Sequence, residues 1–157
     1  MLMKLKILPF LILIICLISP GFSHSSPQNQ PAAFFLISNS AQSQYKLEIE
    51  ISGIRNNTGI IMLQLFDETE KVIDQEKSQI SDNKCSFIIA NLKPGKYAVR
   101  YFHDENLNGK METNFIGKPT EGYGFSNNVT GKLGPPPFEK WLFEINGDTK
   151  IVLKPTY

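Results

Sequence analysis

Residues 92–112 read LKPGKYAVRYFHDENLNGKME and contain the pattern that decides the fold. The Pro-Gly pair at 94–95 predicts a tight turn, after which Tyr97, Val99 and Tyr101 recur at every second position. A two-residue period of this kind is typical of a β-strand with one buried face. The stretch therefore predicts a turn and a strand, followed by an abrupt change to polar residues.

Other strand patterns lie on both sides of this stretch. Alternating residues begin at Tyr45, and residues 60–66 are apolar on both faces, as in a central strand. Further strands are predicted at 85–89, 141–145 and 151–153. The sequence thus predicts an all-β fold. We expect a single antiparallel β-sandwich of about seven strands, immunoglobulin- or transthyretin-like, with one long ordered loop.

Two segments lack a clear period. Residues 67–84 allow either a short helix or a loop with a ragged edge strand, anchored by Val72, Ile73 and Ile80. Residues 104–138 show neither strand nor helix periodicity, yet they are too apolar for disorder. Because loops beyond about 12–15 residues are uncommon in compact domains, this one is expected to be ordered and functional.

The long loop begins with short oxygen-bearing side chains at every second position, followed by a glycine. This spacing points alternate side chains into one hollow, as in calcium loops. The candidate ligands are the side chains of Asp104, Asn106, Asn108 and Glu112 and the backbone carbonyl of Lys110. The bidentate Glu of a full calcium hand is replaced by Phe115, so we expect weak Ca²⁺ binding of about 10⁻⁴–10⁻³ M. A metal-free turn remains an open alternative, because Asp and Asn cap their own backbone.

Two further sets of residues are candidates for chemistry or binding. His103 beside Asp104 would serve as the base of a small hydrolase, or it packs at a strand end. An aromatic set would line a carbohydrate-binding groove, or it forms the core. With no nucleophile in a recognisable setting, a non-enzymatic role is favoured. The aromatic set is Tyr101, Tyr123, Phe125, Phe138 and Trp141.

The first residues have the three parts of a secretory signal. Two lysines precede an apolar run at 7–18, and small residues follow at the end of 1–23. We therefore predict a signal peptide at 1–23, a linker at 24–44 and the β-sandwich domain at 45–157. Export to the periplasm or secretion is expected, without stable membrane insertion after cleavage. The apolar segment 32–37 within the linker is either a short strand or the mark of a processing point.

Charge and cysteine content narrow the function classes. The formal net charge is +1, and no basic run is present, which argues against a nucleic-acid or anionic-membrane partner. Once the signal is removed, Cys85 is the single cysteine, so no internal disulfide is expected. Its place in a strand pattern predicts a buried, unreactive thiol.

Four ordered motifs together resemble a known bacterial family. They are Leu92-x-Pro94-Gly95-x-Tyr97 and the segments 103–109, 117–128 and 134–138. Over residues 45–155 the chain resembles domain-of-unknown-function family 2141, which consists of exported proteins with no established activity. The resemblance implies a cell-envelope location and a β-sandwich, and it supplies no substrate. Family members commonly carry Asp at the last loop position, where this chain has Glu112.

These observations favour an exported cell-envelope module that binds or serves a structural role. Its partner would be an unknown ligand or an envelope protein. The long loop, stapled by a cation or by its own turns, would present the binding surface.

Overall fold

The computed structural model describes residues 43–132 and 134–157, and the fold within them is all-β. The predicted signal peptide, most of the predicted linker and the 32–37 segment lie outside the described residues. The chain divides into two units, and the second, Asn39–Tyr157, contains both sheets. The eight strands are β1 Tyr45–Ser52, β2 Ile60–Asp67, β3 Val72–Gln79, β4 Lys84–Leu92, β5 Gly95–Asp104, β6 Tyr123–Phe125, β7 Phe143–Ile145 and β8 Thr149–Leu153.

The strands form two sheets, which confirms the predicted sandwich. The smaller sheet has the order β4-β1-β8, and the larger has the order β3-β2-β5-β6, with β7 also paired to β5. One pairing differs from the prediction, because β1 and β8 run parallel, with Leu47 opposite Thr149. Strands so far apart in sequence are not joined by a hairpin, so nothing in the local pattern fixes their relative direction.

The alternating apolar residues of both sheets meet in the main core. Leu47, Ile49 and Ile51 of β1 are fully buried, and so are Ile61 and Leu65 of β2. The period of two therefore points these side chains inward, as the sequence predicts. Cys85 is buried among them as a free thiol, and burial raises its pKa to about 12. The expectation that Cys85 is buried is confirmed.

A second apolar cluster lies on the opposite face of the larger sheet. Phe66 of β2 and Ala98 of β5 project outward there, and Phe125 and Trp141 cover them. The Trp141 ring stacks at 4.2 Å from Phe125, and its indole N–H donates to the Pro136 carbonyl at 3.0 Å. The chain after β6 thus folds back over the sheet and seals part of its outer face.

Ser126 joins this covering segment to the edge of β5. β7 pairs with β5 at Gly95–Tyr97, and β6 pairs with it at Arg100–Phe102. In the gap between them, the Val99 N–H donates to the Ser126 hydroxyl at 2.9 Å. That hydroxyl in turn donates to the Trp141 carbonyl at 2.5 Å. One buried side chain therefore continues the hydrogen bonding of the sheet where no strand reaches.

The structure settles the two segments of uncertain pattern. Residues 67–84 contain the edge strand β3, so the helix alternative is wrong. Of the predicted anchors, Ile80 is buried, whereas Ile73 is 43% exposed and does not anchor the segment. The loop predicted at 104–138 is broken by β6 and by a 3-10 turn at Ser126–Asn128. A strand of three residues is too short to show a period, which explains the error.

Candidate functional site

The candidate loop begins where β5 passes from the core to the surface. His103 points inward and Asp104 is the last residue of the strand; the two side chains are 0% and 1% exposed. Asp104 Oδ1 accepts the Asn108 N–H at 3.0 Å, and its Oδ2 accepts the Gly109 N–H at 2.8 Å. One buried carboxylate therefore closes the turn from both of its oxygens.

The two asparagines repeat this arrangement along the loop. Asn106 Oδ1 accepts the Asn108 N–H at 3.1 Å, and Asn108 Oδ1 accepts the Lys110 N–H at 2.8 Å. Their amide groups donate to the same Glu112 oxygen, at 2.7 Å from Asn106 and 3.0 Å from Asn108. The structure thus brings the side chains of the predicted ligands Asn106, Asn108 and Glu112 together at one point.

Glu121 holds the two ends of this loop together and was not among the predicted site residues. Its side chain is 4% exposed, and its Oε1 accepts the Glu105 N–H at 3.0 Å. Its Oε2 accepts the Glu112 N–H at 3.1 Å. A buried carboxylate that receives two backbone donors forms two charge-assisted hydrogen bonds, and these hold the two ends of the loop together. No spacing rule links it to the loop, since it lies nine residues beyond Glu112.

A second network lies beneath the loop, around His103. Its Nε2 lies 2.7 Å from the Thr58 carbonyl, which can only accept, so Nε2 carries the proton. Nδ1 lies 3.1 Å from the Tyr157 hydroxyl and 3.6 Å from Glu105 Oε1. That hydroxyl accepts the Arg55 N–H at 3.0 Å. Both nitrogens are therefore engaged, and the ring packs at the strand end.

Close backbone contacts seal this network from outside. A Cβ on Gly59 would lie 2.0 Å from the Asp104 carbonyl oxygen, and a Cβ on Gly122 would lie 2.4 Å from the Tyr157 ring. Larger residues at these positions would push apart the turn before β2 and the segment before β6. Two glycines thus allow the chain to pack over His103.

The acidic side chains around the 104–112 loop differ in whether they have a basic partner. The Arg55 guanidinium lies 2.5 Å from the Glu105 carboxylate, so Glu105 pairs with Arg55 and not with the predicted ligands. Within the described part of the chain, no basic side chain forms an ion pair with Asp104, Glu112 or Glu121. The described residues also contain no group of three or more His, Cys, Asp and Glu side chains with metal-site geometry. The predicted ligand set consists instead of two carboxylates, two amide oxygens and a carbonyl.

A groove lies between the loop and the outer face of the larger sheet. It has a volume of about 370 Å³, and residues 109–111 form one wall of it. Apolar side chains and three basic side chains contribute to its lining, with Glu76 as the acid. The apolar residues are Met62, Phe102 and Met111, and the basic residues are Lys77, Arg100 and Lys110.

The aromatic set packs in the two apolar clusters, as the core alternative describes. Tyr101 is 1% exposed in the main core, and Phe125 and Trp141 are each 5% exposed in the second cluster. Tyr123 and Phe138 are partly buried and pack against the same cluster. These contacts favour the core alternative over a ligand groove. Their spacing alone could not distinguish a covering segment from a ligand platform, because both need aromatic residues.

Fold and site together define a small two-sheet β-sandwich whose inner strand β5 ends in an Asx-rich loop closed by buried carboxylates. The family comparison then identifies the chain. It belongs to the family described as "Uncharacterized protein conserved in bacteria (DUF2141)", whose model matches residues 49–152. The resemblance stated from the four motifs is confirmed. A search of curated proteins found no match. Within the described residues, no helix has the length and apolar character needed to cross a membrane.

Proposed function

We propose that this protein is a non-enzymatic module of the bacterial cell envelope, exported by its N-terminal signal, whose 104–112 loop binds Ca²⁺ weakly. The carrying observation is the local excess of negative charge: Asp104, Glu112 and Glu121 surround the loop without a basic partner among the described residues. Two of these carboxylates are almost fully buried and receive backbone N–H groups only. A cation would offset the repulsion between them.

The loop geometry is consistent with a hard cation. Each carboxylate or amide oxygen that accepts one N–H has a second lone pair for an ion. Asp104, Asn106 and Asn108 would supply side-chain oxygens, Lys110 its carbonyl, and Glu112 would exchange its two amide donors for the ion. Because few carboxylates would bind directly, the affinity expected is that of extracellular modules, about 10⁻⁴–10⁻³ M.

Ion binding would serve the groove beside the loop. Residues 109–111 follow directly on the turn that Asp104 closes, and they form a wall of the groove. Fixing the loop would therefore fix one side of a binding surface for a ligand or an envelope protein. The hydrolase alternative is less well supported, because a buried His103 with both nitrogens engaged has no free position for a substrate proton.

Thermal unfolding of residues 39–157 in chelator and in calcium tests the ion site. At a calcium concentration about ten times Kd, the expected gain is about 1.4 kcal/mol, or a rise in Tm of about 5 °C. Asp104→Ala and Glu112→Gln should each abolish this rise, and magnesium should not reproduce it. Equal Tm values of the parent in calcium and in chelator would overturn the proposed ion site.

Asp67→Ala is the matched control. Asp67 also closes a turn, since its Oδ1 accepts the Thr69 N–H at 2.9 Å and the Lys71 N–H at 3.2 Å, but it lies in the β2–β3 connection. Its loss should lower the Tm without reducing the calcium response. If Asp67→Ala and Asp104→Ala lost the response equally, the effect would reflect general stability and not an ion at the loop.

A further inference from the structure

The turn that follows the candidate loop presents two apolar side chains to solvent. Phe115 is 99% exposed and Ile116 is 71% exposed, and Leu107 in the preceding loop is 64% exposed. A side chain that is almost completely exposed has no neighbours around it, so Phe115 projects from a convex tip. Adjacent apolar residues at an apex are unfavourable in water unless they contact a partner.

The backbone of this turn is closed on itself. The Asn114 side-chain oxygen accepts the N–H groups of Ile116 at 3.1 Å and Lys118 at 2.9 Å. The Gly117 N–H donates to the Asn114 carbonyl at 2.9 Å, and the Asn114 N–H donates to Lys118 at 2.8 Å. Thr113 and Pro119 form a bridge at its base. The apex is thus held in one conformation, so presenting it costs little ordering entropy.

The internal hydrogen bonds of this turn decide whether it can enter the apolar part of a bilayer. In the apolar part of a bilayer, backbone N–H groups find no water and must be satisfied within the protein. The N–H groups of Asn114, Ile116, Gly117 and Lys118 already donate to oxygens of the same turn. A loop that relied on water for these bonds would lose them on entering lipid. Four backbone N–H groups of the turn can therefore enter lipid without losing a hydrogen bond.

The charges near the apex fit an anionic lipid surface. Lys110 and Lys118 are exposed, and no acidic residue occurs between positions 113 and 120. The exposed carboxylate Glu112 lies on the loop side of the Thr113–Pro119 bridge, so Lys118 is the charged side chain of the turn itself. Lysines beside inserted apolar residues contact anionic headgroups while the apolar side chains reach the acyl boundary.

We propose that the 113–119 turn docks reversibly on an anionic lipid bilayer, with Phe115 and Ile116 entering the interface. A convex apex needs a matching cavity in a protein partner, whereas a fluid bilayer deforms around it. The absence of a basic run argues against an anionic-membrane partner at the level of sequence; the exposure of Phe115 and Ile116 beside Lys118 is what points to one here. The inference goes beyond the proposed function and does not depend on calcium.

Co-sedimentation of residues 39–157 with vesicles of phosphatidylethanolamine and phosphatidylglycerol tests the proposal, in chelator and in calcium. Replacing both residues (Phe115→Ser with Ile116→Ser) should lower the partition coefficient at least about tenfold. Lys118→Gln should lower it about fivefold on these vesicles and little on phosphatidylcholine. Ile88→Ser is the matched control, since Ile88 is 65% exposed on β4, and it should leave partitioning unchanged.

Phe115→Trp supplies an independent signal. The native Trp141 is 5% exposed, so a fluorescence blue shift on vesicle addition would report the new side chain entering lipid. Absence of both partitioning and blue shift would overturn the proposal and favour a protein partner for the apex. Partitioning that the double variant shares with the parent would also overturn it. Because partitioning is measured both in chelator and in calcium, the lipid result can be interpreted even if the loop does not bind calcium.

Discussion

The long segment after β5 is ordered in two different ways along its length. In its first part, residues 104–122, buried carboxylates accept backbone N–H groups, and the large apolar side chains Leu107, Phe115 and Ile116 are exposed. In its second part, residues 123–142, Phe125 and Trp141 are buried against the sheet. We call these the carboxylate part and the aromatic part.

The difference shows that a connecting segment can be rigid without an apolar core. Apolar burial is non-directional and almost independent of pH and ions. Hydrogen bonds to carboxylates depend on charge, so the carboxylate part is the region that a bound ion can adjust. An adjustable region next to a groove is suited to binding, whereas the aromatic part is suited to holding the sheet closed.

The largest effect is expected in the aromatic part. Trp141→Ala removes a buried ring that contacts Phe66, Phe125 and Phe138, and it leaves a cavity. The free energy of unfolding should fall by about 3–5 kcal/mol in urea titrations. Trp141→Phe keeps most of the packing, so the free energy of unfolding should fall by less. A loss below about 1 kcal/mol for the alanine variant would show that this part does not hold the sheet.

An intermediate effect is expected from Glu121→Gln. The amide keeps one acceptor but turns donors toward a backbone N–H, so about 2 kcal/mol of stability should be lost. Hydrogen exchange should quicken at the Glu105 and Glu112 amides and stay unchanged at Val99. Glu139→Gln, at an exposed position, is the control. If exchange quickened equally in both parts, they would not be independent units.

A smaller effect is expected at alkaline pH. Burial raises the pKa of the Tyr157 hydroxyl, and the charge of Glu105 adds to this shift while Arg55 opposes it. The unfolded chain ionises this group first, so its contribution is present below about pH 10 and is lost as the pH rises further. Tyr157→Phe should therefore flatten the fall of unfolding free energy above that pH. Cys85 is present in both proteins, so its contribution cancels. Identical slopes would contradict the prediction.

The smallest effect is expected at the apex of the carboxylate part. Phe115→Ser removes a side chain that is 99% exposed, so the free energy of unfolding should stay within about 0.5 kcal/mol. Differential scanning calorimetry of the variant and the parent checks this. A clear loss of stability would mean that Phe115 is covered in solution, and the comparison of the two parts would need revision.

The sequence predicted the fold better than the site. The two-residue period of Leu47, Ile49 and Ile51 indicates a buried strand face because the backbone itself imposes alternation. Asp104 and Asn108 were found because their spacing along one turn is a local signal. Glu121 and Arg55 reach the loop through tertiary packing, which leaves no mark in spacing. The direction of β8 and the covering role of Trp141 were missed for the same reason.

The parallel pairing of β1 with β8 has a consequence for how the chain acquires its structure. Leu47 pairs with Thr149, although most of the folded unit lies between them in the sequence. Completing the smaller sheet therefore requires a contact between residues that are far apart along the chain. Such contacts make folding slow, on the order of milliseconds to seconds. Until β8 arrives, β1 has one open edge, which invites pairing with other chains. The smaller sheet therefore stays incomplete until β8 has been synthesised and has paired with β1.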